Sequence, residues 1–407
     1  MSKLEEILKY VSEHNEYYKE IIEKHRITNL IDINQYPLLS RDDMLNNIGK
    51  MISPQYIDDY IANRLKCVVT SGSTGKPLKS YISHDEYIKA MVPLWRLRRK
   101  YYNILPNSRV VKFLYSTIGF NNENKYYIKD NEMQVYIANL NCYGDYVEIA
   151  RAISDFSPEW FYIQPSLLEK MMDIYENGDA NKPEDLIYIE SIGEILFENV
   201  RHRAKQVFNI PIANMYGAEE INTIAYECPF GKMHIISENV FVECVNSSGD
   251  ISLEGKGNIL VTDLTNYTTP KIRYLLGDIV TIKSDNTRCL CGCSSPTIEN
   301  IFGRKNEYFI LDNGNEMSSI ALNGSIVEIN NLFENPIVSY EFIFDRKNEV
   351  LLCKLEIKDS FIAWFDAIKN ELELLIKSKY NVKLRVELGY EHHNTKKRYL
   401  CEESVYE

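Results

Sequence analysis

The spacing of apolar residues changes near residue 300, and this change limits the fold more than any other feature of the chain. Before it, helical stretches alternate with short β-rich runs, for example residues 67–70, 108–116 and 258–264, an arrangement typical of an α/β domain. After it, two β-rich segments precede an amphipathic helix at residues 361–376 and a strand at residues 382–388. The sequence therefore predicts a large α/β domain followed by a small α+β domain.

The length of the chain also favours two domains, because 407 residues exceed the size that one hydrophobic core usually serves. We place the boundary so that the domains comprise residues 1–304 and 305–407. Residues 303–307 combine a glycine with charged and polar side chains. This composition suits a hinge at Lys305 and Asn306, and it also suits a plain surface turn.

Charge and cysteine content argue against several classes of protein. The chain has 46 Lys and Arg against 58 Asp and Glu, a net charge of −12, which disfavours binding to nucleic acid or to an anionic membrane. No apolar run approaches the roughly 20 residues that span a bilayer. The N-terminal residues favour an amphipathic helix with a Ser2/Glu5 capping box over a signal peptide. Nine cysteines without a secretion signal indicate reduced thiols, so we expect a cytoplasmic protein.

The most informative segment is residues 70–77, which read Thr-Ser-Gly-Ser-Thr-Gly-Lys-Pro between two β-like runs. The glycines allow tight backbone curvature, the hydroxyls add hydrogen-bond donors and Lys76 adds a positive charge, which together suit a phosphate-binding loop. The segment is not a Walker A loop, because Thr70 replaces the first glycine and Pro77 replaces the Mg²⁺-binding hydroxyl. A turn that binds nothing has the same composition.

Four further segments follow this loop in order: residues 215–220 (MYGAEE), 260–278, 302–306 (FGRKN) and 395–398 (TKKR). Together with the loop they resemble the motifs of the adenylate-forming superfamily of acyl-CoA synthetases, adenylation domains and luciferases, and most of all those of phenylacetate-CoA ligases. The resemblance implies a large α/β domain with mixed sheets that binds ATP, Mg²⁺ and the acyl substrate. It also implies that the small α+β C-terminal domain is mobile.

The resemblance assigns residues to the nucleotide. The loop residues would surround the β- and γ-phosphates of ATP, Tyr216 and Gly217 would lie beside adenine, Asp278 would accept hydrogen bonds from the ribose hydroxyls, and Arg304 would lie near ribose and phosphate. The residues implied to bind ATP or AMP are Ser71, Gly72, Ser73, Thr74, Gly75, Lys76, Glu194, Asn214, Tyr216, Gly217, Asp278 and Arg304.

The resemblance also implies catalytic roles for Lys76, Glu220 and Lys396. Glu220 matches the acidic residue that binds Mg²⁺, and a carboxylate suits this hard cation. Lys396 matches the lysine that polarises the substrate carboxylate and stabilises charge on the α-phosphate. The glycines that usually precede this lysine are absent, and Lys397 fits nearly as well. Glu219 also departs from the family pattern, because Ser or Thr usually stands there.

Two groups of cysteine and histidine residues in the large domain could together bind a metal. Cys289, Cys291 and Cys293 occupy alternate positions, while Cys228 and His234 lie six residues apart. Thiolate and imidazole groups are the ligands of tetrahedral structural Zn²⁺, and buried or free thiols are the alternative. Some phenylacetate-CoA ligase-like enzymes carry Cys and His at matching places. This likeness favours Cys228, His234, Cys289 and Cys291 over a set that uses Cys293.

We expect residues between about 115 and 240 to select the acyl substrate, at strand ends that face the Mg²⁺ ligand. Core packing is the alternative for each candidate, because aromatic and aliphatic side chains usually fill interiors. Family likeness suggests an aryl or arylacetic acid and leaves fatty, amino and heteroaromatic acids open. The candidates for the pocket are Phe113, Tyr115, Phe120, Tyr136, Gln164, Pro165, Ile192 and Gly193.

The leading hypothesis is an enzyme that uses ATP to activate a carboxylic acid as acyl-AMP, releases pyrophosphate and transfers the acyl group to coenzyme A. The resembling family rotates its C-terminal domain about the hinge between these two half-reactions. Loading of a phosphopantetheine on an acyl or peptidyl carrier protein and formation of an amide are alternatives for the second step. A non-catalytic nucleotide-binding protein is a further alternative. We expect no nucleic-acid or membrane partner, and a homodimer remains open.

Overall fold

The computed structural model describes residues 1–70, 77–114, 135–139, 146–284, 288–334, 336–389 and 400–402. Its helices are α1 (Lys3–His14), α2 (Glu16–His25), α3 (Arg41–Met51), α4 (Ile57–Ile61), α5 (His84–Tyr102), α6 (Tyr146–Phe156), α7 (Pro165–Asn177), α8 (Glu198–Phe208), α9 (Ser319–Leu332) and α10 (Phe365–Tyr380). Short 3₁₀ helices occupy Ile33–Gln35, Pro54–Tyr56, Lys305–Glu307 and Asp359–Trp364.

The strands are short and occur throughout the chain. They are β1 (Lys66–Val69), β2 (Lys79–Ile82), β3 (Val110–Leu114), β4 (Val135–Asn139), β5 (Trp160–Ile163), β6 (Tyr188–Ile192), β7 (Ile212–Ala218), β8 (Asn222–Glu227), β9 (Met233–Ile235), β10 (Val240–Val245), β11 (Ile251–Ser252), β12 (Gly255–Asp263), β13 (Tyr274–Lys283), β14 (Thr297–Arg304), β15 (Tyr308–Ile310), β16 (Glu316–Ser318), β17 (Ile337–Asp345), β18 (Val350–Ile357), β19 (Lys383–Leu388) and β20 (Leu400–Glu402).

The chain divides into two compact units. The first unit comprises Met1–Glu243, Leu260–Leu275 and Ile282–Glu299, and the second comprises Cys244–Ile259, Leu276–Thr281 and Asn300–Glu407. The second unit therefore combines the C-terminal residues with two segments from earlier in the chain. The expected boundary between residues 304 and 305 stays a prediction.

The first unit begins with the amphipathic helix that the sequence predicts. The Ser2 side chain accepts a hydrogen bond from the Glu5 backbone, and the Glu5 carboxylate accepts one from the Ser2 backbone, which confirms the capping box. Ile7, Leu8 and Val11 lie on one helical face and are fully buried. Burial of this face ties the helix to the rest of the unit.

A mixed β-sheet forms the centre of the first unit. Strands β7, β6, β5, β3 and β4 lie side by side in that order and are parallel. On the other side of β7, strands β8, β9 and β14 continue the sheet with antiparallel pairing. Apolar residues of α6, α7 and α8 pack on one face, and Leu94 of α5 packs with Trp160 and Tyr188 on the other. The parallel strands therefore end at one common edge, where loops carry candidate site residues.

The second unit has its own core beneath a four-stranded sheet in the order β19-β18-β17-β20. Strands β17 and β18 are antiparallel, and β19 runs parallel to β18. Ile368, Leu372 and Ile376 of α10 are fully buried in this core. The predicted order of two strands, a helix and a strand is confirmed, and α9 with the β15–β16 hairpin precedes it. Within the described ranges, no helix is both long and apolar enough to cross a membrane.

Candidate active site and metal centre

The two strands that flank the glycine-rich segment form an antiparallel pair, β1 with β2, in which Val69 lies opposite Lys79. The backbone N–H of Thr70 donates to the carbonyl of Leu78 at 2.9 Å, and its hydroxyl accepts from the Arg41 guanidinium at 3.0 Å. The base of the predicted loop is thus held in place. The predicted phosphate ligands Ser71, Gly72, Ser73, Thr74, Gly75 and Lys76 lie outside the described residues.

Glu220 lies just past the carboxyl end of β7, at the edge where the parallel strands end. One carboxylate oxygen, Oε1, accepts a hydrogen bond from the Tyr274 hydroxyl at 2.9 Å. Tyr274 is almost fully buried, whereas the neighbouring Glu219 is exposed. The carboxylate of Glu220 is therefore held by a buried neighbour, and that of Glu219 faces solvent. Tyr274 lies within residues 260–278, a motif segment in which the resemblance gives this tyrosine no role.

A fully buried lysine lies near this carboxylate. Lys271 donates to the carbonyl of Thr269 at 2.9 Å. Burial lowers the pKa of Lys271, while the charges of Asp263, Glu220 and Glu86 act in the opposite direction. Burial also disfavours the charged form of Asp263 and therefore raises its pKa. A buried lysine and a buried aspartate of opposite charge therefore lie in the segment that precedes Tyr274. The sequence pattern did not predict this pair.

Tyr216 and Gly217 lie at an irregularity in the pairing of β7 with β8, where the register shifts between these two residues. A Cβ atom on Gly217 would come within 2.3 Å of the carbonyl oxygen of Asn222, far closer than non-bonded atoms approach. Only glycine fits this position. Tyr216 is buried, and the backbone N–H of Asn214 donates to the Glu227 carboxylate at 2.7 Å.

The ends of β5 and β6 bring together three candidate residues of the acyl pocket. Ile163 pairs with Ser191, which places Gln164, Ile192 and Gly193 on neighbouring strand ends. A Cβ atom on Gly193, whose φ is +72°, would lie 3.7 Å from Cγ of Gln164. Among the described residues the buried amide oxygen of Gln164 has no hydrogen-bond partner, so it can accept a hydrogen bond from a ligand.

Glu194 follows on the same loop and takes part in a helix cap. Its carboxylate accepts hydrogen bonds from the backbone N–H of Ser166 at 3.0 Å and from the Ser166 hydroxyl at 2.9 Å. Ser166 belongs to the first turn of α7, where N–H groups lack intrahelical partners. Pro165, another candidate of the pocket, is buried at the start of this helix. The contacts of Glu194 fix the β6 loop on α7.

Asp278 and Arg304, which the resemblance assigns separately to the nucleotide, both lie in the second unit and form an ion pair with each other. Nε of Arg304 lies 2.9 Å from Oδ1 of Asp278. The side chain of Asp278 is 12% exposed and that of Arg304 is 52% exposed. The carboxylate is therefore largely buried, and about half of the Arg304 side chain is exposed to solvent.

The four residues proposed as zinc ligands converge, with all their ligand atoms within 4.8 Å of one another. Sγ of Cys228 lies 4.0 Å from Sγ of Cys289, and Sγ of Cys291 lies 3.4 Å from Nε2 of His234. A tetrahedral zinc site with usual bond lengths has S···S separations of about 3.8 Å and S···N separations of about 3.5 Å. Cys293 does not belong to this group. The donor set therefore fits Zn²⁺.

The surroundings of the cluster suit metal ligation. Nδ1 of His234 lies 3.3 Å from the Ser295 carbonyl, a contact that leaves Nε2 facing the thiols. Burial lowers the pKa of His234 and raises the pKa of Cys228 to about 11. Burial also opposes ionisation of Cys291, but hydrogen bonds from the Tyr101 hydroxyl and the Cys293 backbone outweigh it and lower its pKa. Tyr101 is a neighbour that the sequence motifs did not indicate.

The cluster lies away from Glu220. Cys228 follows the end of β8, which runs antiparallel to the neighbouring strand β7. The cluster and Glu220 therefore lie at opposite ends of these strands. The pairing of His234 on β9 with Thr297 on β14 brings the turn at residues 289–293 to the cluster. A metal with four protein ligands at this place would be structural, because no coordination position stays open for a substrate.

We expect protein purified without chelator to carry about one zinc ion per chain, since the ligand set is complete. Replacement of Cys289 by Ser should remove most of the metal and lower the melting temperature by several degrees. Elemental analysis and thermal unfolding measure both quantities. Cys293→Ser is the matched control and should keep the metal. Equal metal loss in the two variants, or no zinc in the unaltered protein, would refute the assignment.

Comparison with known proteins adds to this geometry. No protein-family model matches the chain. Protein CapK from Staphylococcus aureus is 23% identical over 391 residues, which cover 94% of this chain and 81% of CapK. A 2-hydroxyisobutyryl-CoA ligase in the postadenylation state, in complex with R3-HIB-AMP, aligns with a TM-score of 0.79 at 16% identity over 98% of this chain and 88% of that chain. This protein has the fold of the adenylate-forming ligases.

Two other structures share this fold. One comes from a study of fatty acyl-adenylate ligases from E. coli and L. pneumophila, with a TM-score of 0.58, 14% identity and coverage of 81% of this chain and 66% of that chain. The other is an anthranilate CoA ligase in complex with anthranoyl-AMP, with a TM-score of 0.57, 15% identity and coverage of 81% and 63%. The predicted fold class is confirmed, and the resemblance stated from the motifs is confirmed for the fold.

The remaining candidates for the acyl pocket, the hinge and the catalytic lysine lie in several parts of the chain. Tyr136 is buried among apolar residues and its ring lies 5.5 Å from that of Phe156, and Phe113 is buried in the same core. Lys305 and Asn306 lie in the short 3₁₀ helix between β14 and β15. Several predicted residues lie outside the described ranges: Tyr115, Phe120, Lys396 and Lys397.

Proposed function

We propose that the protein uses ATP to convert a carboxylic acid to its acyl-AMP, releasing pyrophosphate, and then transfers the acyl group to a thiol, with coenzyme A as the first candidate acceptor. The observation that carries this proposal is the placement of Glu220. It follows β7 at the edge where the parallel strands end, held by Tyr274, within a fold whose solved examples include ligases with bound acyl-AMP.

Glu220 suits the binding of Mg²⁺. The Tyr274 hydroxyl donates to Oε1, and a carboxylate has further lone pairs that can bind a cation. Mg²⁺ in nucleotide enzymes is commonly held by one or two carboxylates together with substrate phosphates and water. When bound, Mg²⁺ would neutralise negative charge on the phosphates.

Two groups of residues are suited to the rest of the nucleotide. In the first unit, Gly217 allows the backbone of β7 to pass close to the backbone of Asn222. The adjacent Tyr216 is buried and is proposed to lie beside adenine. In the second unit, the Asp278 carboxylate can accept from ribose hydroxyls, and the exposed part of Arg304 can contact ribose or phosphate.

The first half-reaction joins two anions. A carboxylate oxygen of the substrate attacks the α-phosphorus, a new P–O bond forms, and the bond to pyrophosphate breaks. Repulsion between the anions opposes the approach, so catalysis depends on neutralising charge and on aligning the reacting groups. Lys76 and Lys396 are proposed for this role from the motifs. The acid is its own nucleophile, and no histidine or cysteine is required.

In the second half-reaction a thiol sulfur attacks the carbonyl carbon of the acyl-AMP, and AMP leaves. Two ligases that share this fold, the 2-hydroxyisobutyryl-CoA ligase and the anthranilate CoA ligase, favour coenzyme A as the acceptor. Gln164, Ile192 and Gly193 are proposed to contact the acid, because they lie together at the ends of β5 and β6. A small acid with an aryl or hydroxyl group is the first class to examine.

Acid-dependent exchange of labelled pyrophosphate into ATP tests this proposal. A panel of aryl, arylacetic, hydroxy, fatty and amino acids should contain at least one acid that supports Mg²⁺-dependent exchange. Coenzyme A, a carrier protein with phosphopantetheine and an amine should then be supplied in turn. A product only with coenzyme A supports the proposed acceptor, and a product only with another acceptor corrects it. Absence of exchange with every acid would favour a nucleotide-binding protein without catalysis.

A further inference from the structure

Lys256, which no motif includes, is the second residue of β12 and lies in the second unit. Its ammonium donates to the Tyr308 hydroxyl at 2.8 Å and to Oε2 of Glu316 at 2.5 Å. It also lies 4.1 Å from the centroid of the Phe302 ring and 5.0 Å from that of Tyr308. These distances are those of charge-assisted hydrogen bonds and cation–π contacts. One ammonium therefore binds three side chains.

The two aromatic partners of Lys256 lie on either side of Arg304 in the chain. Phe302 belongs to β14, and Tyr308 begins β15 after the short helix Lys305–Glu307. Their rings meet edge to face, with centroids 6.3 Å apart. The segment that contains Arg304 is thus fixed at both ends by the same lysine.

Glu316 extends this arrangement into the β15–β16 hairpin. The hairpin pairs Ile310 with Glu316 and Tyr308 with Ser318, so both residues that bind Lys256 through hydrogen bonds belong to the same hairpin. The hydrogen bond from Lys256 lowers the pKa of Glu316. Burial opposes the charge on Lys256, but the bonds to Glu316 and Tyr308 outweigh it and raise its pKa. The pair therefore stays charged at neutral pH.

Arg304 itself has a long side chain that is 52% exposed. Ordering such a side chain reduces its conformational entropy, and a fixed backbone reduces the part of that cost that falls on ligand binding. The residue before it, Gly303, has φ of +98°, and a Cβ atom there would come within 3.1 Å of the Ser319 hydroxyl oxygen. The backbone next to Arg304 is therefore adapted to one particular conformation.

We propose that Lys256 is a positioning residue for the nucleotide: by binding Phe302, Tyr308 and Glu316 it fixes the backbone of the segment of Arg304, so that less of this segment has to be ordered when the guanidinium meets ribose and phosphate. This inference rests on the proposed function, which assigns Asp278 and Arg304 to the nucleotide. Lys256 touches neither the nucleotide nor the acid and acts through Arg304.

A double-mutant cycle tests whether the effect passes through Arg304. Lys256→Met should raise KM for ATP on the order of fivefold, the size that a partly exposed charged contact supports, and leave kcat within about twofold. Lys256→Arg should recover most of the loss. In an Arg304→Ala background, Lys256→Met should add little, because residues that act through one another are not additive. Fully additive effects would overturn the inference.

Hydrogen exchange of the backbone amides provides a readout that does not depend on activity. Lys256→Met should speed exchange at residues 303–308 and leave α10 unchanged, and Lys347→Met, an exposed lysine in the same unit, should change neither. Unchanged exchange at 303–308 would also overturn the inference. If the unaltered protein neither binds ATP nor supports exchange with any acid, the proposed function fails and this inference fails with it. If it does both and the cycle is additive, only the role of Lys256 fails.

Discussion

Replacing Glu220 by Gln is expected to slow acid-dependent pyrophosphate exchange by about 10²–10³-fold, the loss that follows when several kcal/mol of charge stabilisation is removed. Gln has nearly the same shape and can still accept the hydrogen bond that Tyr274 donates to Oε1 of Glu220. The substitution therefore removes charge and leaves the packing around the residue in place. The apparent affinity for Mg²⁺, measured from the dependence of exchange on metal concentration, should fall together with the rate.

Glu219→Gln is the matched control for this experiment. Glu219 is the adjacent residue, has the same side chain and is exposed. We expect it to change the exchange rate by less than about threefold, since exposed charges are screened by water and salt. If both substitutions lowered the rate equally, the cation would be shared by the two carboxylates. If Glu220→Gln had no effect, Glu220 would not be the ligand.

The second large effect is on stability, at the buried ion pair between Arg98 of α5 and Glu190 of β6. Nε and Nη2 of Arg98 lie 2.8 and 2.5 Å from the two carboxylate oxygens, and both side chains are 3% exposed or less. The hydroxyls of Tyr188 and Tyr226 donate to the same carboxylate at 3.2 and 3.1 Å. This cluster of charged and polar groups is fully enclosed.

Arg98→Met should lower the free energy of unfolding of the first unit by about 3–5 kcal/mol, because Glu190 would be left buried without a counter-ion. The guanidinium also lies 4.5 Å from the Trp95 ring and 4.9 Å from the Trp160 ring, and these contacts would be lost as well. Urea titration followed by tryptophan fluorescence measures the change. A double variant with Glu190→Gln should recover part of it.

Arg96→Met provides the comparison on the same helix. Arg96 forms an ion pair with Glu238 in which the side chains are 60% and 55% exposed. Exposed pairs contribute about 0–1 kcal/mol, so this variant should unfold almost as the unaltered protein does. A loss at Arg98 no larger than that at Arg96 would contradict the importance of the buried pair.

Local sequence patterns predicted the parts of the fold in which neighbouring residues decide the outcome. The capping box at Ser2 and Glu5 requires two residues three positions apart, and it is present. The helix at residues 365–380 follows from the apolar spacing of Ile368, Leu372 and Ile376, all fully buried. The spacing of apolar residues indicates which face of an amphipathic helix or strand is buried.

Contacts between distant residues could not be predicted in the same way. Glu220 meets Tyr274 across 54 positions, Arg98 meets Glu190 across 92, and Lys256 meets Glu316 across 60. Each of these contacts depends on which strands pair and in which register, and a shift of one residue would turn the side chains to the other face. The residue types predicted a zinc site, but the choice of Cys228, His234, Cys289 and Cys291 needed the family resemblance, because the spacing alone did not decide whether Cys293 takes part.

The hydrogen bond from Tyr274 to Glu220 reduces the side-chain entropy that Glu220 would lose when it binds a cation. A glutamate side chain that is free in solution loses up to about 2 kcal/mol of rotamer entropy when a ligand fixes it. Tyr274 is 1% exposed and holds Glu220 already, so most of that loss occurs during folding. Under the proposed function, a cation that arrives at the strand end would meet a carboxylate that Tyr274 already holds, and more of the favourable free energy of coordination would remain available for gathering the phosphates around it.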